Sequence, residues 1–207
     1  MSVEAILAAA SAISNEWRGV ATAWHAIYAV MVVAIVYRAI PAAAVASGLA
    51  GSAISVAVLA WWSGNPFNAT VFVVAGIIML WLAIRMRSTA IVLGSRSAIV
   101  AGILLVAFGA VYPHFLAATS WTAYLYQAPL GLMPCPTLSA IAGVTLLMDG
   151  FGSKAWSRLV ALLATFYGVI GVLVLGVVID LVLIAAAVML WAGPAAPAWS
   201  FARPRSA

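Results

Sequence analysis

Apolar runs fill this chain, and polar positions only punctuate them. A spanning helix needs roughly 20 apolar residues, at about 1.5 Å of rise each across about 30 Å of hydrocarbon. Candidate segments follow one another at 20–37, 41–62, 67–85, 97–115, 131–149, 157–175 and 177–192, the last of them short. The last two come from one apolar run, too long for a single span and interrupted by Asp180, so it divides near Gly176. The pattern predicts an all-α, polytopic integral membrane protein of about seven transmembrane helices. Its single bundle covers residues 20–192, preceded by a segment at 1–19 and followed by a tail at 193–207.

The loops give this bundle a direction. With the N-terminus outside, Arg38, Arg85, Arg87, Arg96, Lys154, Arg158, Arg203 and Arg205 all fall inside, and Arg18 alone falls outside. That asymmetry is the positive-inside pattern, and it puts the C-terminus in the cytoplasm. A six-span arrangement that fuses the last two segments would move Arg203 and Arg205 outside. The outer loops carry Trp61, Trp62, Trp121, Tyr124 and Tyr126, amphipathic rings of the kind that settle among headgroups. The first residues, MSVEAILAAASAISNEWR, lack a basic start and carry Glu4 early, which suits an interfacial helix better than a cleaved signal peptide.

Composition agrees. The chain is 67% hydrophobic and 6% charged, whereas a soluble domain carries about 25% charged residues. Its net charge of +5 is scattered along the chain, with no basic stripe, so topology explains it and nucleic acid is not expected as a partner. Small residues recur at helical spacing, as in Gly48 and Ser52, Ser139 and Gly143, and Gly168 and Gly171. Such positions let helices approach closely in lipid, within one chain or in a homo-oligomer or larger membrane complex. No internal repeat indicates an inverted-repeat transporter.

Four spans bring uncommon polar residues to the outer third: His25 in the first, His114 at the end of the fourth, Cys135 opening the fifth and Asp180 opening the seventh. Ionisable groups in spans are costly and usually face the bundle interior or water. Each also has a purely structural reading. His25 suits an interfacial histidine bonded to a carbonyl, and His114, after Pro113, suits a helix end among headgroups. Asp180 suits a helix N-terminus favoured by the macrodipole. Cys135, the only cysteine, stands in MPCPT between Pro134 and Pro136. Proline belongs in a first helical turn, so the motif marks a helix start. Unpartnered carbonyls before it point to a polar pocket whose mouth holds the thiol and Thr137. The structural reading there is a rigid start with a small buried cysteine.

Cys135, His114, His25 and Met133 include soft ligands suited to Cu(I), or to Zn(II) if Asp180 joins. The two histidines, on two spans, also suit bis-histidine haem ligation. No HExxH, GxSxG or P-loop is present, so common hydrolase and NTPase chemistries lack their groups. The only lysine, Lys154, lies in an inner loop, which excludes a retinal Schiff base.

The PCPT run, the LLM of GVTLLM and the D-x-x-L-x-x-A of DLVLIAA together resemble a family of bacterial multipass membrane proteins known only as a domain of unknown function. Pro134, Cys135, Pro136, Thr137 and Asp180 fall on its pattern, over roughly the C-terminal third. LSAIAG stands where that family continues with threonine and phenylalanine. The resemblance implies the multipass fold and a bacterial inner membrane, and it brings no activity. The expected function is transport or binding of a metal ion or small solute at a polar site open to the extracytoplasmic face, with Cys135, Asp180, His114, His25 and Thr137 as its contacts. Two alternatives stand beside it: a non-catalytic subunit or assembly factor, and a haem-binding electron carrier.

Overall fold

A computed structural model describes residues 3–86, 91–118 and 120–193. The expected tail at 193–207, with Arg203 and Arg205, lies outside the described residues apart from Gly193, and so does Arg87. The described residues are helical, with no strand among them. The helices are α1 Val3–Glu16, α2 Arg18–Val36, α3 Ala42–Trp62, α4 Pro66–Arg85, α5 Arg96–Ala110, α6 Tyr124–Gln127, α7 Pro134–Leu147, α8 Lys154–Val169 and α9 Leu181–Ala192.

Four stretches are long and apolar enough to cross a membrane: α2, α3, α4, and α8 with its extension to Val174. Three apolar helices are shorter: Arg96–Ala110, Pro134–Leu147 and Val178–Ala192. At about 1.5 Å per residue, the 14 residues of α7 cover about 21 Å, less than a hydrocarbon core. Its expected span began three residues earlier and ended two later. The chain on either side of it turns instead, at Gly131 and at Asp149, both with positive φ.

α7 has no need to reach both surfaces, because it is wrapped by other helices. It packs against α3, α5, α8 and α9. Every residue in it except Cys135 is buried. Glycine makes the closest of these approaches. A Cβ on Gly102 of α5 would stand 2.6 Å from the Gly143 carbonyl oxygen, and a Cβ on Gly143 would stand 2.6 Å from that of Gly102. Ser139 adds a hydrogen bond of 2.8 Å to the Leu105 carbonyl of α5. In lipid, where no hydrophobic force drives helices together, such backbone contact and buried hydrogen bonding hold them. The outer helices turn apolar side chains away from the core: Val30 and Val36 of α2, Ile77 of α4, Leu104 of α5 and Val188 of α9 are exposed.

Local signals set the helix starts. Asn65 accepts from Asn68 N at 3.1 Å with Pro66 beside it, Ser95 accepts from Ala98 N at 3.3 Å, and Ser153 accepts from Trp156 N at 3.2 Å. Each satisfies an amide that the helix itself cannot. Met133 precedes α7 in extended backbone, and Pro134 follows at the first helical position, as the sequence implies.

Between α8 and α9 the chain leaves regular geometry. Ile170–Val174 winds as a π-helical turn, Gly176 takes φ +71°, and Val178–Asp180 form a single 3₁₀ turn. The Val177 amide returns to the Gly171 carbonyl at 2.8 Å and closes the hairpin. This break was expected near Gly176, and it delivers Asp180 to one end of the bundle.

Candidate functional site

At that end, three elements converge on Asp180. The hairpin supplies the carboxylate, which is 1% exposed. The segment after α5 supplies Tyr112, fully buried, whose hydroxyl donates to Asp180 Oδ1 at 2.7 Å. The first turn of α7 supplies Cys135, which shares the wall of one cavity with the same carboxylate. Gly171 is the residue that lets the carboxylate in. A Cβ there would stand 2.8 Å from Asp180 Cγ and 2.9 Å from its Cβ, so any side chain would push the aspartate out.

Asp180 and Cys135 lie on the wall of a cavity of about 420 Å³. The rest of that wall is mostly apolar: Ile6 and Leu7 of α1, Phe67 of α4, Phe115, and Ile170 and Val174 of the hairpin. Its further polar groups are Asn65, Asn68 and Tyr167, with the Tyr167 hydroxyl donating to Asn68 Oδ1 at 2.9 Å. No Lys, Arg or His stands among the described residues of the wall. Cys135 thus departs from the burial of α7 at the point where α7 meets this cavity.

α1 lies against the same end and is fastened to the segment after α5. Ser11 and Asn15 donate to the Phe115 carbonyl at 3.3 and 3.0 Å. Asn15 Oδ1 accepts from Ala117 N at 2.9 Å, and Arg18 donates to the Ala117 carbonyl at 3.0 Å and to Asn15 Oδ1 at 2.7 Å. Phe115, pinned by these bonds, has φ +72°, a left-handed backbone that bulky residues adopt rarely.

The four ionisable residues expected to meet divide into a pair and two outliers. Cys135 and Asp180 come together. His25 is not on the wall with them: one ring nitrogen lies 2.8 Å from the Ala21 carbonyl and the other 2.7 Å from the Ala110 carbonyl. It ties α2 to α5, the structural role that its sequence also allowed. His114 is exposed, its ring edge-on to Phe115 at 4.3 Å, on the same side of the fold as Asp180 yet off the cavity wall.

Thr137 is spent within the fold as well. Its hydroxyl, fully buried, accepts from Gly131 N at 2.9 Å and so satisfies an amide of the irregular stretch before α7. Met133 lines the cavity, without a histidine near it on the wall. Among the described residues, no three His, Cys, Asp or Glu side chains are grouped to hold a metal ion. Both ring nitrogens of His25, one of the two histidines of the alternative haem reading, face backbone carbonyls.

Sequence reasoning missed Tyr112, Tyr167 and Asn68, and it read Gly171 only as a small residue at a helix contact, not as the neighbour of Asp180. Ionisable side chains drew attention there, and hydroxyls and an amide did not. A signal existed for two of them: Asn68 stands at the start of a long apolar run in GNPFN, and Tyr112 precedes the proline of VYPHF. No family model matches this chain, and no curated protein or solved structure matches it either.

Proposed function

We propose that this chain is a small protein of the bacterial cytoplasmic membrane that binds a small solute, or carries it across, at a cavity open to the extracytoplasmic side. In this reading the chain passes through the membrane seven times, N-terminus outside, with the short helices α5, α7 and α9 completed towards the surfaces by the irregular chain at their ends and α1 lying in the outer interface. The observation that carries the proposal is the pairing of Cys135 with Asp180. A carboxylate 1% exposed is expensive to keep, and here it stands with a thiol on the wall of a cavity of about 420 Å³. Pockets of this kind, mostly apolar with a few convergent polar groups, are the usual form of a small-molecule site. A small organic solute suits this wall better than a bare metal ion, which would require more ligands than one thiol and one carboxylate.

Cys135 is the only thiol of the chain, so its modification reports one position. Right-side-out and inverted membrane vesicles are treated with the membrane-impermeant reagent (2-trimethylammonium)ethyl methanethiosulfonate. The remaining free thiol is then counted with a fluorescent maleimide after denaturation. Modification in right-side-out vesicles alone is expected. Modification only in inverted vesicles, or in neither, defeats the reading.

A further inference from the structure

We infer that the ligand of this cavity is a lipophilic organic cation, its positive centre held at Asp180 and its apolar groups against the surrounding wall; this rests on the reading of the cavity as a solute site. The argument begins with charge. Asp180 accepts a hydrogen bond from Tyr112 and shares the cavity wall with Cys135. The tyrosine hydroxyl satisfies a lone pair but carries no positive charge. No Lys, Arg or His stands among the described residues of the wall, and His114, the one base whose influence reaches Asp180, is exposed outside it, where solvent screens it. A buried carboxylate without a cation beside it is costly, and a bound cation removes that cost.

The wall then selects among cations. Hydrated metal ions need a shell of six or so oxygens, and the described wall offers few. A large organic cation is weakly hydrated and loses little on entering an apolar space. Phe67, Phe115 and Tyr167 add aromatic faces and edges to that space, and ring faces attract cations by their quadrupole. The volume of about 420 Å³ lies in the range of sites for drug-sized molecules. Anions are opposed by the carboxylate. A neutral apolar ligand would fill the cavity and leave the charge uncompensated.

The full chain, purified in detergent, is dialysed to equilibrium against tetraphenylphosphonium and, separately, against the uncharged triphenylphosphine oxide. Saturable binding of the cation is expected, weakened by at least about tenfold in Asp180→Asn, with the neutral compound bound weakly and alike by both forms. Cation binding unchanged in Asp180→Asn, neutral binding as tight as cation binding, or no saturable cation binding overturns the inference. A second measurement uses the wild-type protein alone, in case the substitution prevents folding. Bound tetraphenylphosphonium is expected to slow alkylation of Cys135 by N-ethylmaleimide, and triphenylphosphine oxide at the same concentration is not. Alkylation that ignores the cation overturns the inference and leaves an open cavity standing. A thiol that N-ethylmaleimide does not reach in ligand-free protein removes the cavity as a site, and the cation with it.

Discussion

An aspartate stands beside each end of α7, Asp180 brought from the hairpin to its first turn and Asp149 just beyond its last, and the two carboxylates have opposite fates. At one end Asp180 is 1% exposed, held by Tyr112 and facing Cys135. At the other, Asp149 is half-buried on a turn in which Asp149, Gly150, Phe151 and Gly152 all take positive φ, at 49°, 63°, 58° and 63°. That turn borders a smaller cavity of about 220 Å³ lined in part by Ser95, Ser97 and Ser157. Residue type does not explain the contrast. Surroundings do: Asp149 stands among hydroxyls, with part of its surface open, whereas Asp180 is enclosed by hairpin, α7 and Tyr112. A carboxylate beside open, polar surroundings costs little, and one enclosed by packed helices persists only if it is satisfied and useful.

That comparison can be tested hardest at Gly171. Alanine there would meet the Asp180 side chain, and overpacking of this kind costs about 1–3 kcal/mol. Gly171→Ala is expected to give the largest loss of thermal stability in detergent, seen as early aggregation on heating. A variant as stable as wild type would mean that the hairpin yields easily and that Asp180 is not fixed. Tyr112→Phe removes the hydroxyl that donates to Asp180 while keeping the ring. The net loss of one hydrogen bond costs about 0.5–1.5 kcal/mol, so a smaller fall in melting temperature is expected. No change would place the hydrogen bond outside the energetics of this end. Asp149→Asn is expected to have the smallest effect, within about 0.5 kcal/mol, because asparagine tolerates positive φ well and the site is partly open. A large destabilisation there would erase the contrast between the two ends.

The apolar periodicity of the chain made much of the fold readable. Apolar runs of sufficient length gave α2, α3, α4 and α8 nearly as they stand, and the split at Gly176 fell inside the observed hairpin. The start of α7 was equally legible, because Pro134 and Pro136 leave a helix few places to begin. The length of α7 was not. A run of apolar residues reads alike whether lipid or protein surrounds it, and only the packing of α3, α5, α8 and α9 around α7 distinguishes the two. The site was half legible for a related reason. Cys135 and Asp180 stand out because thiols and carboxylates are rare in spans, but His25 stands out just as strongly and turns to two carbonyls instead.

Sequence alone determined that this chain is helical and apolar enough to belong in a membrane, since composition and run length depend on no contact. It also determined where α7 begins and where the run before α9 divides, because proline and glycine act on their own backbone. Tertiary structure decided which polar residues meet. Tyr112 and Asp180 are 68 residues apart in the chain, and their hydrogen bond depends on a hairpin that only Gly171 has room to close. Partnership between distant side chains follows from how helices pack, and an apolar run carries no record of its neighbour.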